Sequence, residues 1–400
     1  MTSWQRLFLV GGVTACVFVA TASRGEPLSG AARSGGKVTV KAPPFSWETV
    51  PVFVAFRDQK LLQADAVKKI AADADFICVE KGHGLRDHGD AVIGLAHELK
   101  AFRQVNQKAK VLAYFNSALT YPFTRHTHMF TPEEIDRHPD EKAFLLVDEE
   151  TGELATQFGQ YCLNVLNPAM RAWWSDAAAD MVKQSGADGI LIDQMHGFSW
   201  IHGRPQRTAV QAGVADMMRQ LKEKLGPDKL FIANNAAQID AVFEVADGFM
   251  FEHYKREVTH TKEKLLQDWQ LMKKIAEAGK LCIYRFGAEP EPDTLLAEAG
   301  GGNRLGADRK EYAALAKRQI EFYLAVYLIG AQPYSYFQWN WAWDLRAGPL
   351  ERYPELHRPL GSPLGNYTRV SPDAWEFTRE FERASVWVDT ENWKAHIDWK

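Results

Sequence analysis

Two segments of the chain end a short apolar run on an acid. The first reads Gly186-Ala187-Asp188-Gly189-Ile190-Leu191-Ile192-Asp193, and the second Asp247-Gly248-Phe249-Met250-Phe251-Glu252. Each run is too short for a helix and too apolar for an exposed strand, which fits a parallel strand buried on both faces. An acid placed where such a strand ends points into the open mouth of an α/β sheet or barrel. A single strand-end carboxylate commonly caps the next helix or pairs with an arginine. Two in matching positions, among aromatic and amide side chains, point to cleavage of a glycosidic bond. That reaction needs one carboxylate to attack, or to activate water, and one carboxylic acid to protonate the departing oxygen. Asp193, the shorter side chain, suits the nucleophile or base. Glu252, the longer, reaches further and suits the general acid/base.

Other predicted strand ends supply groups that can hold a sugar. They are Glu80, with Lys81 beside it, Tyr114, Asn116, Asn234, Asn235, His253, Tyr284, Arg285, Tyr336 and Gln338. Amides and phenols both donate and accept, which suits hydroxyl recognition; each one singly could instead tie down a loop. Glu80 is a third acid, able to pair with Lys81 or Arg285, to orient substrate, or to replace one of the two nominees. Trp339, Trp341 and Trp343 alternate, so on an extended segment they share one face. That face is either a stacking platform for sugar rings or packing at a barrel rim.

The elements that must position these groups alternate along the chain. Strands are predicted at 52–56, 76–80, 111–116, 190–193, 230–235, 248–252, 281–285 and 333–338. Helices fall near 64–73, 91–106, 168–185, 207–225, 262–278 and 309–329, with Asn167 and Pro168 as a capped start to the third. Eight strands alternating with helices predict a (β/α)8 TIM barrel over 47–345, with its site at the C-terminal strand ends. A doubly wound sheet is the alternative, but it normally carries a Gly-rich first turn, and here Arg57-Asp58-Gln59-Lys60 follows the first strand. Residues 346–400 read as a small β-hairpin appendage packed on the barrel. A segment of that size seldom folds alone without staples.

Composition narrows the function classes. The chain has 400 residues, a net charge of −4 and no basic stripe, so a nucleic-acid partner is not expected. Arg6, the apolar run from Leu7 to Ala20, and the small-x-small site Ala20-Thr21-Ala22 resemble an export signal over 1–22. The run is shorter than the roughly 20 residues of a spanning helix, so no stable membrane insertion is expected once it is removed. Residues 23–46 then read as a flexible leader. Of the 4 cysteines, Cys78, Cys162 and Cys282 remain after that cleavage, an odd number. Cys78 and Cys282 lie inside apolar strand-like runs and read as buried small hydrophobes. No CxxC or HExxH occurs, and Arg125-His126-Thr127-His128 is a His pair without further ligands, so neither metal nor cofactor is expected.

Leu166-Asn167-Pro168, Trp173-Trp174 and the strand from Gly186 to Asp193 resemble many glycoside hydrolase barrels. The whole chain, over about 47–399, is similar to bacterial glycoside hydrolase-like barrels, especially hypothetical glycosyl hydrolase family 15. Phe76–Gly82, Asn234-Asn235, Phe251-Glu252-His253-Tyr254, Gly361-Ser362-Pro363-Leu364-Gly365 and Arg379-Glu380-Phe381 carry that likeness. Barrels of the α-galactosidase type place an Asp nucleophile on strand four and an acid on strand six. The resemblance implies those roles for Asp193 and Glu252, with Glu where that clan has Asp, and α-linked substrates. The expectation is therefore a secreted or periplasmic glycoside hydrolase acting on a poly- or oligosaccharide. The rivals are a catalytically silent carbohydrate-binding barrel and an enzyme of other chemistry on the same fold. Export predicts a mature protein beginning near residue 23, and mass spectrometry finding the cytoplasmic chain intact from Met1 would refute it.

Overall fold

The short apolar runs form eight strands: β1 (Phe53–Phe56), β2 (Phe76–Val79), β3 (Lys110–Asn116), β4 (Gly189–Asp193), β5 (Leu230–Asn234), β6 (Gly248–Glu252), β7 (Leu281–Phe286) and β8 (Ser335–Trp339). The computed structural model describes residues 42–198, 202, 206–252, 261–289 and 309–400. The expected export signal, the leader up to residue 41 and His253 lie outside them. Neighbouring strands pair parallel in chain order. β8 returns to the start of β1 through a parallel bridge between Val52 and Phe337, with the Phe337 N–H donating to the Pro51 carbonyl at 2.8 Å. The sheet thus closes into a barrel, which settles the choice against a doubly wound sheet.

Both faces of every strand are buried, and side chains alternate between them. Phe53, Phe76, Leu191, Ile232 and Ile283 fill the barrel interior. Phe56, Val79, Ile190, Phe231 and Phe249 face the helices. Glycine makes room where two inward side chains would collide: a Cβ on Gly248 would lie 2.6 Å from the Leu281 Cβ, and one on Gly189 would overlap the Leu230 carbonyl oxygen. Phe45 packs against Tyr334 and Tyr336, and the Tyr336 hydroxyl donates to the Pro43 carbonyl at 3.2 Å. The last residues of the expected leader therefore plug the N-terminal end of the barrel.

The helices longer than four residues among the described residues are α1 (Ala64–Asp73), α2 (Ala91–Val105), α3 (Pro168–Ser185), α4 (Arg207–Leu225), α5 (Asp240–Val245), α6 (Lys262–Glu277) and α7 (Arg309–Gly330). The Asn167 carboxamide oxygen caps α3 by accepting from the Ala169 N–H at 2.9 Å, with Pro168 in the first turn. The long segment between β3 and α3 carries short turns and a two-stranded ribbon, Thr156–Gln157 with Gln160–Tyr161. No helix among the described residues is long and apolar enough to cross a membrane. Cys78, Cys162 and Cys282 are free and buried.

The C-terminal appendage is larger than the expected hairpin. It is a four-stranded antiparallel sheet of β9 (Thr368–Arg369), β10 (Glu376–Glu380), β11 (Ala384–Asp389) and β12 (Lys394–Trp399). β10 escaped the sequence reading because its buried face holds a charge: Phe377, Arg379 and Phe381 all point inward. Arg379 donates to the Leu328 and Ile329 carbonyls at 2.9 and 3.1 Å, the orphan acceptors at the end of α7. A cation there also meets the negative end of the helix dipole. Burial pulls the Arg379 guanidinium down to about 10, and it remains charged at neutral pH. Trp269 of α6 stacks edge-on with Phe377 at 4.9 Å, so the sheet docks across α6 and α7.

Gly189→Ala is expected to destabilise the barrel by about 1–3 kcal/mol through overpacking. Gly365, where an added Cβ meets nothing within 4 Å, is the control. Urea denaturation of both alanine variants checks this, and equal midpoints would contradict it.

Candidate active site

Period-2 alternation decides which residues reach the mouth. Continuing the inward positions upward gives Arg57 above β1, Glu80 above β2, Asn116 on β3, Asp193 on β4, Asn234 on β5, Glu252 on β6, Arg285 on β7 and Asn340 above β8. Every one of these is polar, whereas the inward layers beneath are mostly apolar. Polar groups concentrate where eight parallel strands end together.

Asn234 is the hub. Its Nδ2 donates to Asp193 Oδ1 at 2.9 Å and to Glu252 Oε2 at 2.6 Å. Those two carboxylate oxygens are therefore no farther apart than the two bonds laid end to end, about 5.5 Å. Asp193 is oriented further by the Tyr114 hydroxyl on Oδ2 and the Gln194 N–H on Oδ1, both at 2.7 Å. Asn116 Nδ2 supports Tyr114 at 3.3 Å, and its Oδ1 accepts the N–H groups of Ala118 and Leu119. Glu252 is placed through its backbone: its N–H donates to Asn235 Oδ1 at 3.0 Å.

The residues just past three of these strand ends share a conformation. Lys81, Gln194 and Asn235 have φ of 48°, 65° and 48°. They follow Glu80, Asp193 and Asn234 respectively. Left-handed backbone costs a non-glycine residue about 1–2 kcal/mol, and here it turns the chain sharply away so that the preceding side chain stays over the barrel axis.

Cations balance the acids. Lys81 Nζ lies 3.6 Å from Glu80 Oε2, 5.1 Å from the Tyr114 ring centre and 5.6 Å from that of Trp343. The Arg285 guanidinium lies 4.7 Å from the same Trp343 ring, and its Nε donates to Asn340 Oδ1 at 2.7 Å. Burial pulls the Lys81 ammonium down, but Glu80, Asp193 and Glu252 outweigh it and hold the lysine above its usual value. Burial pushes the Glu80 carboxyl up to about 7, with Lys81 opposing and Asp193 adding to the rise.

Several expected site residues lie elsewhere. Tyr284 and Trp339 have the outward parity. Tyr284 faces the helix layer, where Asp268 of α6 meets its hydroxyl, and Trp339 packs on Tyr323 of α7 at 5.1 Å. Neither can face the mouth, because Arg285 and Gln338, the adjacent residues, point inward. Tyr336 points inward at the N-terminal end. Gln338 is buried at the seam of β1 and β8. The three tryptophans share no face: the chain leaves the extended conformation after Trp339, Trp341 stacks on Tyr312 at 6.5 Å, and Trp343 alone joins the mouth cations. Arg57 and Asn340 were missed by the sequence reading, and counting inward parity past the ends of β1 and β8 would have found both. No cluster of three metal-ligating side chains occurs among the described residues.

The model of hypothetical glycosyl hydrolase family 15 matches residues 103–385. The chain belongs to this family. Membership places it among the glycoside hydrolases. No curated protein sequence matches. Among solved structures, the glycoside hydrolase domain of PelA from Pseudomonas aeruginosa is 14% identical, covering 68% of this chain and 91% of its own at a TM-score of 0.44. Ega3 of Aspergillus fumigatus, in complex with galactosamine, is 15% identical over 80% of this chain and 100% of its own, TM-score 0.44. An α-amylase from Geobacillus thermoleovorans, bound to acarbose, is 13% identical over 86% and 87%, TM-score 0.46.

The raised Glu80 carboxyl makes stability depend on pH. The folded state holds a proton there that the unfolded chain releases near the ordinary value of 4.5. The associated stability is fully present below about 4.5 and is lost as pH rises to about 7. Glu80→Gln removes this contribution. Thermal melts from pH 4.5 to 7.5 are expected to show the wild type losing stability relative to Glu80→Gln as pH rises; parallel profiles would count against it.

Proposed function

We propose that the chain hydrolyses an O-glycosidic bond of an oligo- or polysaccharide by a two-carboxylate mechanism, with Asp193 as nucleophile and Glu252 as general acid/base. The observation that carries this reading is the Asn234 amide donating to both acids at once. The resulting bound of about 5.5 Å on the bridged oxygens agrees with the roughly 5–5.5 Å of retaining enzymes, and an attacking water needs about 6.5–9.5 Å. Asp193, gripped at both oxygens, is presented in one orientation toward an anomeric carbon. Glu252 then protonates the leaving oxygen and, in the second step, takes the proton from the incoming water. Lys81 and Arg285 limit the negative charge that gathers as both acids cycle through the reaction. Trp343, held between the two cations, offers an aromatic surface at the rim. Export remains part of this proposal on the strength of Arg6, the apolar run and Ala20-Thr21-Ala22.

Glu80 supports a second assignment of the proton donor. A carboxyl held near 7 by burial is protonated in the range where glycosidases need an acid. Kinetics separate the two. Asp193→Asn is expected to abolish turnover of every glycoside, because an amide cannot form the glycosyl-enzyme. Glu252→Gln is expected to lower kcat/KM by about 10²–10⁴ for poor leaving groups and to spare the first step with activated aryl glycosides, with azide restoring turnover. Should Glu80→Gln show that leaving-group dependence instead, the donor is Glu80. A folded Asp193→Asn that keeps full activity on a confirmed glycoside substrate would exclude Asp193 as nucleophile.

A further inference from the structure

We propose that the groove beside the mouth, over the C-terminal ends of β1 and β2, binds an acidic group of the glycan, a carboxylate or sulfate on a sugar unit adjoining those held at Asp193 and Glu252. Arg57, Arg86 and Arg346 line this groove together with Asp58, Asp344 and Phe123. This rests on the glycosidase reading of the mouth, and it adds the class of substrate.

The groove is a built feature, assembled from three loops joined backbone to backbone. The Arg57 N–H donates to the Trp343 carbonyl at 2.8 Å, and the Leu345 N–H donates to the Arg57 carbonyl at 2.9 Å. The Gly84 and Arg86 N–H groups donate to the Asp58 and Gln59 carbonyls at 3.0 and 2.9 Å. A buried pair lies beneath: His83 Nε2 meets Glu98 Oε1 at 2.9 Å, while His83 Nδ1 accepts from the Asp58 N–H at 3.1 Å. The three guanidinium stems thus rise from fixed backbone.

Donors and acceptors in the groove are unequally occupied. Asp344 Oδ1 already accepts from the Arg346 N–H and Nε, and Asp58 Oδ1 accepts from the Lys60 N–H at 3.1 Å. The side chains of Arg57 and Arg86 make no hydrogen bond or ion pair among the described residues, and both are exposed. A guanidinium presents a planar fork of donors that matches a carboxylate or sulfate. Two such forks open on one groove, where each carboxylate is already engaged at one oxygen, favour an anion over a neutral hydroxyl. The groove also adjoins the reacting centre. Arg57 is the inward position above β1, and Glu80 and Tyr121, whose titrations are raised by burial, both feel its opposing charge.

The test measures binding without turnover, by titration calorimetry on the folded Asp193→Asn protein. Two matched pairs serve as probes: oligogalacturonides with their methyl esters, and sulfated galactan oligosaccharides with their desulfated twins. At least one acidic probe is expected to bind about tenfold or more tighter than its neutral twin, with a preference that shrinks as salt is raised. Arg86→Gln is expected to weaken the preference while the melting temperature and the affinity for the neutral twin stay unchanged, and Arg57→Gln added to it is expected to abolish the preference, read as the ratio of acidic to neutral affinity. Whichever pair shows the preference identifies the acidic group. Equal affinity within both pairs overturns the proposal, as does a preference that survives the double substitution. An intact acid preference in a protein inert toward all glycosides would defeat the hydrolase reading alone.

Discussion

Holding two carboxylates a few ångströms apart at the top of an apolar barrel is costly, because like charges repel most strongly where water is partly excluded. A single neutral amide resolves this. Asn234 on β5 lies between Asp193 on β4 and Glu252 on β6, and donates one N–H to each. Strand order makes that possible. Adjacent parallel strands lie roughly 4.8 Å apart, so a donor on the strand between two acids can reach both of them. The parallel pairing of β4 with β5 and of β5 with β6 is therefore what the rest of the site depends on.

The surroundings keep this arrangement from relaxing. Tyr114 and Asn116 brace Asp193 from β3, Asn235 holds the Glu252 backbone, and left-handed turns follow three of the mouth residues in succession. Lys81 and Arg285 bring positive charge beside the acids, Arg285 as the register neighbour of Glu252, and share the Trp343 ring. A site built this way is preorganised, with donors and charges held in fixed positions by the fold.

The parts remote from the mouth serve the same end. Barrel closure brings β8 beside β1, and the loop after β8 is thereby knitted to Arg57. The C-terminal sheet anchors on α7 through the buried Arg379, which satisfies carbonyls that the helix end leaves open. Residues 43–45 stop the opposite end of the barrel. The polar ring lies at the other end, over the C-terminal ends of the strands.

Much of this was legible in the chain itself. The alternation of short apolar runs with amphipathic segments determined the eight strands and the barrel class, because burial of both strand faces writes itself into local composition. The strand-end acids Asp193 and Glu252, and Asn234 between them, followed from the same pattern. Strand parity was in the sequence as well: Tyr284 and Trp339 could have been set aside by counting from Arg285 and Gln338. What local pattern could not supply was decided by tertiary contact. The amide bridge of Asn234 joins residues on three strands. The turn that separates Trp343 from Trp341 depends on packing after β8. The inward Arg379 of β10 makes sense only once the end of α7 lies against it. Periodicity reports which side of a strand is buried, but not which distant polar group will be waiting there.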